Sequence, residues 1–101
     1  MSVLDEVLKE EYDRLLRMRS AMNAEYDALP KGSISKKSIR GCDCYYLQYR
    51  EGEKIISKYI KKAELAEVSE KIERRRSLKR SLRDIDVELK KIERTVKRWR
   101  E

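Results

Sequence analysis

The sequence contains no histidine and no phenylalanine, one tryptophan, one proline, three glycines and two cysteines in 101 residues. Without histidine there is no Ser-His-Asp triad and no side chain whose ordinary pKa lies near neutrality. No Walker loop or dinucleotide fingerprint is present either. The carboxylates Asp84 and Glu88 lie among basic neighbours on one helical stretch, where salt bridging explains them without an active site. The expectation is a protein without catalysis, without a cofactor and without a small-molecule substrate. Cys42 and Cys44 stand one residue apart. Two thiolates supply half of a tetrahedral zinc shell, so no metal is expected, and two cysteines are no disulfide framework, which points to a cytoplasmic setting. No run of 18 apolar residues exists to span a membrane. The opening Met1-Ser2-Val3-Leu4-Asp5-Glu6 has neither the basic nor the apolar region of a secretory signal.

What is abundant is charge, 45% of the residues, with a formal net of +7. It is unevenly spread. Residues 1–29 carry 4 basic and 7 acidic side chains, residues 30–60 carry 7 and 3, and residues 61–101 carry 15 and 9. The basic excess therefore lies in the sheet-forming middle and the last helix, and it favours an anionic partner.

The chain reads as one elongated α+β domain, residues 1–101. Residues 3–29 predict a helix: Leu4, Leu8, Leu15, Met18, Met22 and Leu29 fall on one side, interrupted by Glu11 and Glu25. Pro30 and Gly32 stop it. Residues 33–60 predict a small antiparallel sheet of two or three strands. Cys44-Tyr45-Tyr46-Leu47-Gln48-Tyr49-Arg50 is its strongest strand, with a turn at Arg40-Gly41-Cys42-Asp43 and another at Glu51-Gly52. Tyr45, Leu47 and Tyr49 share one face, and Tyr46, Gln48 and Arg50 the other. Which face is buried depends on whether the second loop has two or three residues.

Residues 61–100 predict one long helix. Leu78, Leu82, Ile85, Leu89, Ile92, Val96 and Trp99 form a seam of alternating three- and four-residue steps. Upstream, Leu65, Val68 and Ile72 form a second apolar segment. The ten residues from Ile72 to Leu82 do not fit the heptad, which predicts a phase slip or a break in the seam. The two long helices are expected to pair as an antiparallel coiled-coil-like hairpin joined by the sheet. Because the first helix is shorter by about a dozen residues, the distal stripe from Leu89 to Trp99 is expected to lack cover within the chain. A homodimer or higher homo-oligomer is the expected remedy.

Two groups of residues are candidates for contact with a partner. Arg74, Arg76, Arg80 and Arg83 lie in a run with one acid, Glu73, between Lys71 and Arg83, and Arg76, Arg83, Lys90 and Lys97 recur every seven residues. Such a stripe can follow a phosphate backbone, although long coiled coils also flank their seams with basic residues for solubility. Lys36, Lys37, Arg40, Tyr46 and Arg50 form the second group, where tyrosines can stack on bases while cations meet phosphate. The competing expectation is that one tyrosine face packs inward and the other is solvated.

The segments Gly32-Ser33-Ile34, Ile39-Arg40-Gly41, Tyr45-Tyr46-Leu47-Gln48-Tyr49-Arg50-Glu51-Gly52, Lys54 and Ser57-Lys58-Tyr59-Ile60 resemble a class of small bacterial and archaeal proteins without an assigned activity. These carry an aromatic hairpin before a charged coiled coil. More loosely, the same stretch of about 30 residues is similar to the arm-type DNA-binding domain of tyrosine recombinases, although Glu53 puts an acid into the turn and no recombinase catalytic domain follows. That likeness implies nucleic acid, DNA or RNA, and a mobile-element setting. The alternative is a module docking on a second protein, a host or defence factor.

Overall fold

In the computed structural model the chain is described over residues 3–100, with side chains through Arg98. The order is α1 (Val3–Ala28), β1 (Ser33–Ile39), β2 (Cys42–Glu51), β3 (Lys54–Ile60), a 3-10 turn (Lys62–Glu64) and α2 (Leu65–Arg100). Two long helices thus stand on either side of a three-stranded antiparallel sheet in sequence, and they contact each other. The chain divides into two compact units. One is α1 with α2 from Ser77 onward, the other Leu29–Arg76.

In the helical unit, Tyr12 meets Glu93 and Arg19 meets Asp86. Seven residues forward on α1 match seven backward on α2, so the helices run antiparallel. Leu15, Ile85 and Leu89 are buried together, and Tyr12, Leu16, Met18, Met22 and Ile92 pack around them. Leu78 is the most deeply buried side chain, at 1% exposure. Leu82 and Val96 are half-buried, as margins of a narrow seam are. The side chain of Trp99, placed on this seam from the sequence, lies outside the described residues.

This pairing corrects one expectation. The distal stripe is covered at its start: Leu89, expected to lack cover, is 3% exposed and clusters with Leu15. The residues of α2 that α1 does not match are its first dozen, which belong to the sheet-bearing unit. The break in the heptad between Ile72 and Leu82 falls where α2 passes from one unit to the other, between Arg76 and Ser77. Leu89 therefore gives no reason for a second copy, while Ile92 and Val96 farther along the stripe are half-buried.

In the second unit the sheet order is β1-β2-β3. Both hairpin loops have two residues: Ile39 pairs with Cys42, and Glu51 with Lys54. At the first loop Arg40 and Gly41 both have positive φ, 51° and 81°, the signs of a type I′ turn. At the second, Gly52 has φ 63°, and positive φ at the first central residue marks type II′. The expected turn at 40–43 is thus confined to Arg40 and Gly41, and Cys42 and Asp43 already belong to β2. The two-residue second loop settles the register. Tyr45 pairs with Ile60, Leu47 with Lys58 and Ile34, and Tyr49 with Ile56, so these share a face. That face holds the buried Ile60, and its Ile34, Tyr45, Leu47, Tyr49 and Ile56 are half-buried. It is the inner face, with Ile72 of α2 the unit's other buried residue. The opposite face carries Tyr46, Gln48, Arg50, Ile55, Ser57 and Tyr59, of which Ile55 is 70% and Tyr59 61% exposed.

Candidate functional site

A helix turns about 100° per residue. From Ser77 to Arg98, the face of α2 turned away from Leu78, Ile85 and Leu89 carries Lys79, Arg80, Arg83, Lys90, Lys91, Arg94, Lys97 and Arg98. Val87 lies among them, and these nine are exposed. Among the described residues, the one acid on this face is the exposed Asp84, about 120° round from the seam beside Lys91. The seven-residue steps Arg83, Lys90 and Lys97 are about 10.5 Å apart along the axis.

The other acids of this segment lie at the margins of the stripe, and they are engaged. Asp86 accepts from Arg19 of α1 at 3.1 Å, Glu93 accepts from the Tyr12 hydroxyl at 2.6 Å, and Glu88 pairs with Lys91 at 3.4 Å. Among the described residues, Lys79, Arg80, Arg83, Lys90, Arg94, Lys97 and Arg98 have no carboxylate within ion-pair distance. The helix pairing thus engages Asp86 and Glu93 with α1, and the outer face keeps a net positive charge. Arg74 and Arg76, the upstream members of the expected stripe, belong to the sheet-bearing unit. Arg76 is exposed and pairs with Glu73 at 3.1 Å, and Arg74 is exposed. The structure therefore adds Arg94 and Arg98 to the stripe, which the seven-residue repeat alone passes over.

The Tyr12–Glu93 hydrogen bond also has a pH signature. Donation to the Glu93 carboxylate raises the Tyr12 pKa above its ordinary value, with desolvation adding in the same direction. A raised folded pKa means that the bond's stabilisation is complete below the ordinary tyrosine pKa of about 10 and disappears as pH rises through the folded value. Tyr12 should therefore ionise later than a free tyrosine. In an absorbance titration at 295 nm, Tyr12→Phe is expected to remove the latest tyrosinate component; removal of an early component would refute the hydrogen bond.

The sheet residues of the second group are divided by the register. Lys36 lies on the inner-face side and pairs with Asp43 at 3.4 Å. Lys37, Tyr46 and Arg50 lie on the outward face. The Lys37 ammonium stands 5.2 Å from the Tyr46 ring centroid, and Tyr46 and Tyr59 meet edge to face at 5.8 Å and 71°. Arg40 occupies the tip of the first hairpin in a left-handed conformation, which costs a residue with a Cβ about 1–2 kcal/mol. Cys42 and Cys44 are free thiols. Among the described residues, no three His, Cys, Asp or Glu side chains gather as metal ligands, and no helix is long and apolar enough to cross a membrane.

The fold class is thus an antiparallel helix pair with a three-stranded meander between its helices in sequence, and with a basic outer stripe on its last helix. The chain belongs to the family described as Domain of unknown function (DUF6788), whose model matches residues 4–70. The match takes in α1, the sheet and the start of α2, and ends before the stripe. No curated protein and no solved structure matches the chain.

Proposed function

We propose that this is a non-enzymatic nucleic-acid-binding protein that contacts phosphates through the outer stripe of α2. The observation that carries this reading is the run of seven exposed cations without carboxylate partners on the segment Ser77–Arg98. A row of guanidinium and ammonium groups at helical spacing releases counterions from a polyanion, and arginine adds bidentate phosphate contacts. A cytoplasmic setting fits the two free thiols. Association with a mobile element rests on the sheet's likeness to arm-type domains.

The test is fluorescence anisotropy with labelled duplex DNA, single-stranded DNA and RNA at about 50 and 200 mM salt. Binding should weaken steeply with salt. Replacing Arg83, Lys90, Arg94 and Lys97 by glutamine should flatten the log–log salt slope on duplex by about 3–4, near 0.9 for each phosphate no longer neutralised. These side chains are exposed, so the variant should keep its helical circular dichroism and melting temperature. No binding at the lower salt, or an unchanged slope in the variant, would defeat the proposal and leave an acidic protein surface as the partner of this stripe.

A further inference from the structure

The outward face of the sheet has no role in phosphate contact along α2. Its residues are fixed by the register: Tyr46 opposite Tyr59, Arg50 opposite Ile55, and Lys37 opposite Cys44. The face combines exposed ring and aliphatic surface, Tyr59 at 61% and Ile55 at 70% exposure, with two cations. Among the described residues of β1, β2 and β3, no acid projects from it, since Asp43 and Glu51 fall in the opposite alternation. The Tyr46 ring is held, with Lys37 over it and the Tyr59 ring near-perpendicular to it. Tyr59 retains the free aromatic surface.

These properties restrict the occupant. A second copy packed face to face would set Lys37 and Arg50 against their own likeness with no acid to relieve them. An uncharged apolar partner would desolvate the same cations unpaired. The partner must offer negative charge and flat apolar surface together. A single-stranded nucleic acid does so, because its bases expose π-faces and its phosphates follow at each step. A duplex does not, because its base faces are already stacked and only edges reach the grooves.

We propose that this face takes up unpaired bases of a single-stranded nucleic acid, with a base stacked on Tyr59 and adjoining phosphates met by Lys37 and Arg50. The proposal rests on the reading of the chain as a nucleic-acid binder, but it uses different residues, so the two can fail separately.

The experiment measures anisotropy of a labelled oligothymidylate and of a mixed-sequence duplex of equal length, with poly-L-glutamate as an anion that has charge but no bases. Tyr59→Ala is expected to weaken single-strand binding about tenfold or more, the range for removal of one stacked base. It should leave duplex binding and its salt slope unchanged, and Tyr59→Phe should restore single-strand binding. Tyr59 is exposed, so the alanine variant should fold; a sheet amide pattern by NMR checks this. An unchanged single-strand affinity in Tyr59→Ala would overturn the inference. So would an equal decrease on duplex, or equal affinity for poly-L-glutamate and the oligonucleotide. If the four-site glutamine variant loses duplex binding while Tyr59→Ala has no effect, the sheet proposal fails and the helix reading stands. If Tyr59→Ala loses single strands while the glutamine variant binds duplex normally, the reverse holds.

Discussion

Leu89→Ala is expected to destabilise the protein by about 3 kcal/mol, within the range of about 2–5 kcal/mol for deleting a buried leucine. The reason is the scarcity of core. Leu89 is 3% exposed and, among the described residues, shares a cluster with two other buried side chains, Leu15 and Ile85. Tyr12, packed against the cluster, is held by its hydrogen bond to Glu93 and is not free to fill the space. For a chain of this length, about 3 kcal/mol corresponds to a fall in Tm of roughly 12–24 °C. Val87→Ala is the control. Two residues away on the outer face and 51% exposed, Val87 should cost no more than about 0.5 kcal/mol. Equal destabilisation at the two positions would mean that α1 does not cover the seam as described. The same melts, repeated over a hundredfold range of protein concentration, test the homo-oligomer expectation. A seam buried within one chain gives a concentration-independent Tm, whereas a seam buried between chains does not.

Much of this fold is legible in the sequence because its elements are locally determined. The helix over 3–29 ends at Ala28 because Pro30 cannot continue it. The strands follow from aromatic and β-branched residues between turn formers, and the observed β2 extends the expected one to include Cys42 and Asp43 because the Arg40-Gly41 loop is tighter than four residues. What is not legible depends on pairing at a distance. The inner face of the sheet turns on one residue in the Gly52-Glu53 loop, and both candidate faces are rich in tyrosine. The coverage of Leu89 depends on which part of α2 receives α1, and helix lengths alone leave that open. The candidate stripe shows the same division. Its seven-residue repeat is visible in the sequence, but the engagement of the neighbouring acids by α1 is not. Asp86 and Glu93 are engaged by Arg19 and Tyr12, 67 and 81 residues away in the chain. The break between Ile72 and Leu82 is legible as an irregularity, and its coincidence with the passage of α2 between two units only as structure.

Gly32→Ala should be about as damaging as a core deletion, although it adds a single methyl group. Gly32 has φ +116°, a conformation that costs a residue with a side chain roughly 1–3 kcal/mol. The second penalty is steric and independent of the first. A Cβ at this position would overlap the carbonyl oxygen of Gln48 and lie 3.0 Å from Cβ of Tyr49. The carbonyl belongs to the backbone of β2, the central strand, and Gln48 is the register partner of Ser33. It cannot swing aside as a flexible side chain would, so relief comes only from moving β1 off β2 at its first residue. Together the two penalties give an expected destabilisation of about 3 kcal/mol or more. Gly52→Ala separates them, since Gly52 has φ +63° and open space around it, and it should carry the conformational penalty alone, roughly 1–3 kcal/mol. Hydrogen exchange locates the damage. In Gly32→Ala, protection should fall first at the β1–β2 ladder. The amides of Ile85 and Leu89 in the helical unit should lose protection only to the extent that global stability falls. A uniform fall across both units from the lowest denaturant concentrations would place the strain elsewhere than at the Gln48 carbonyl.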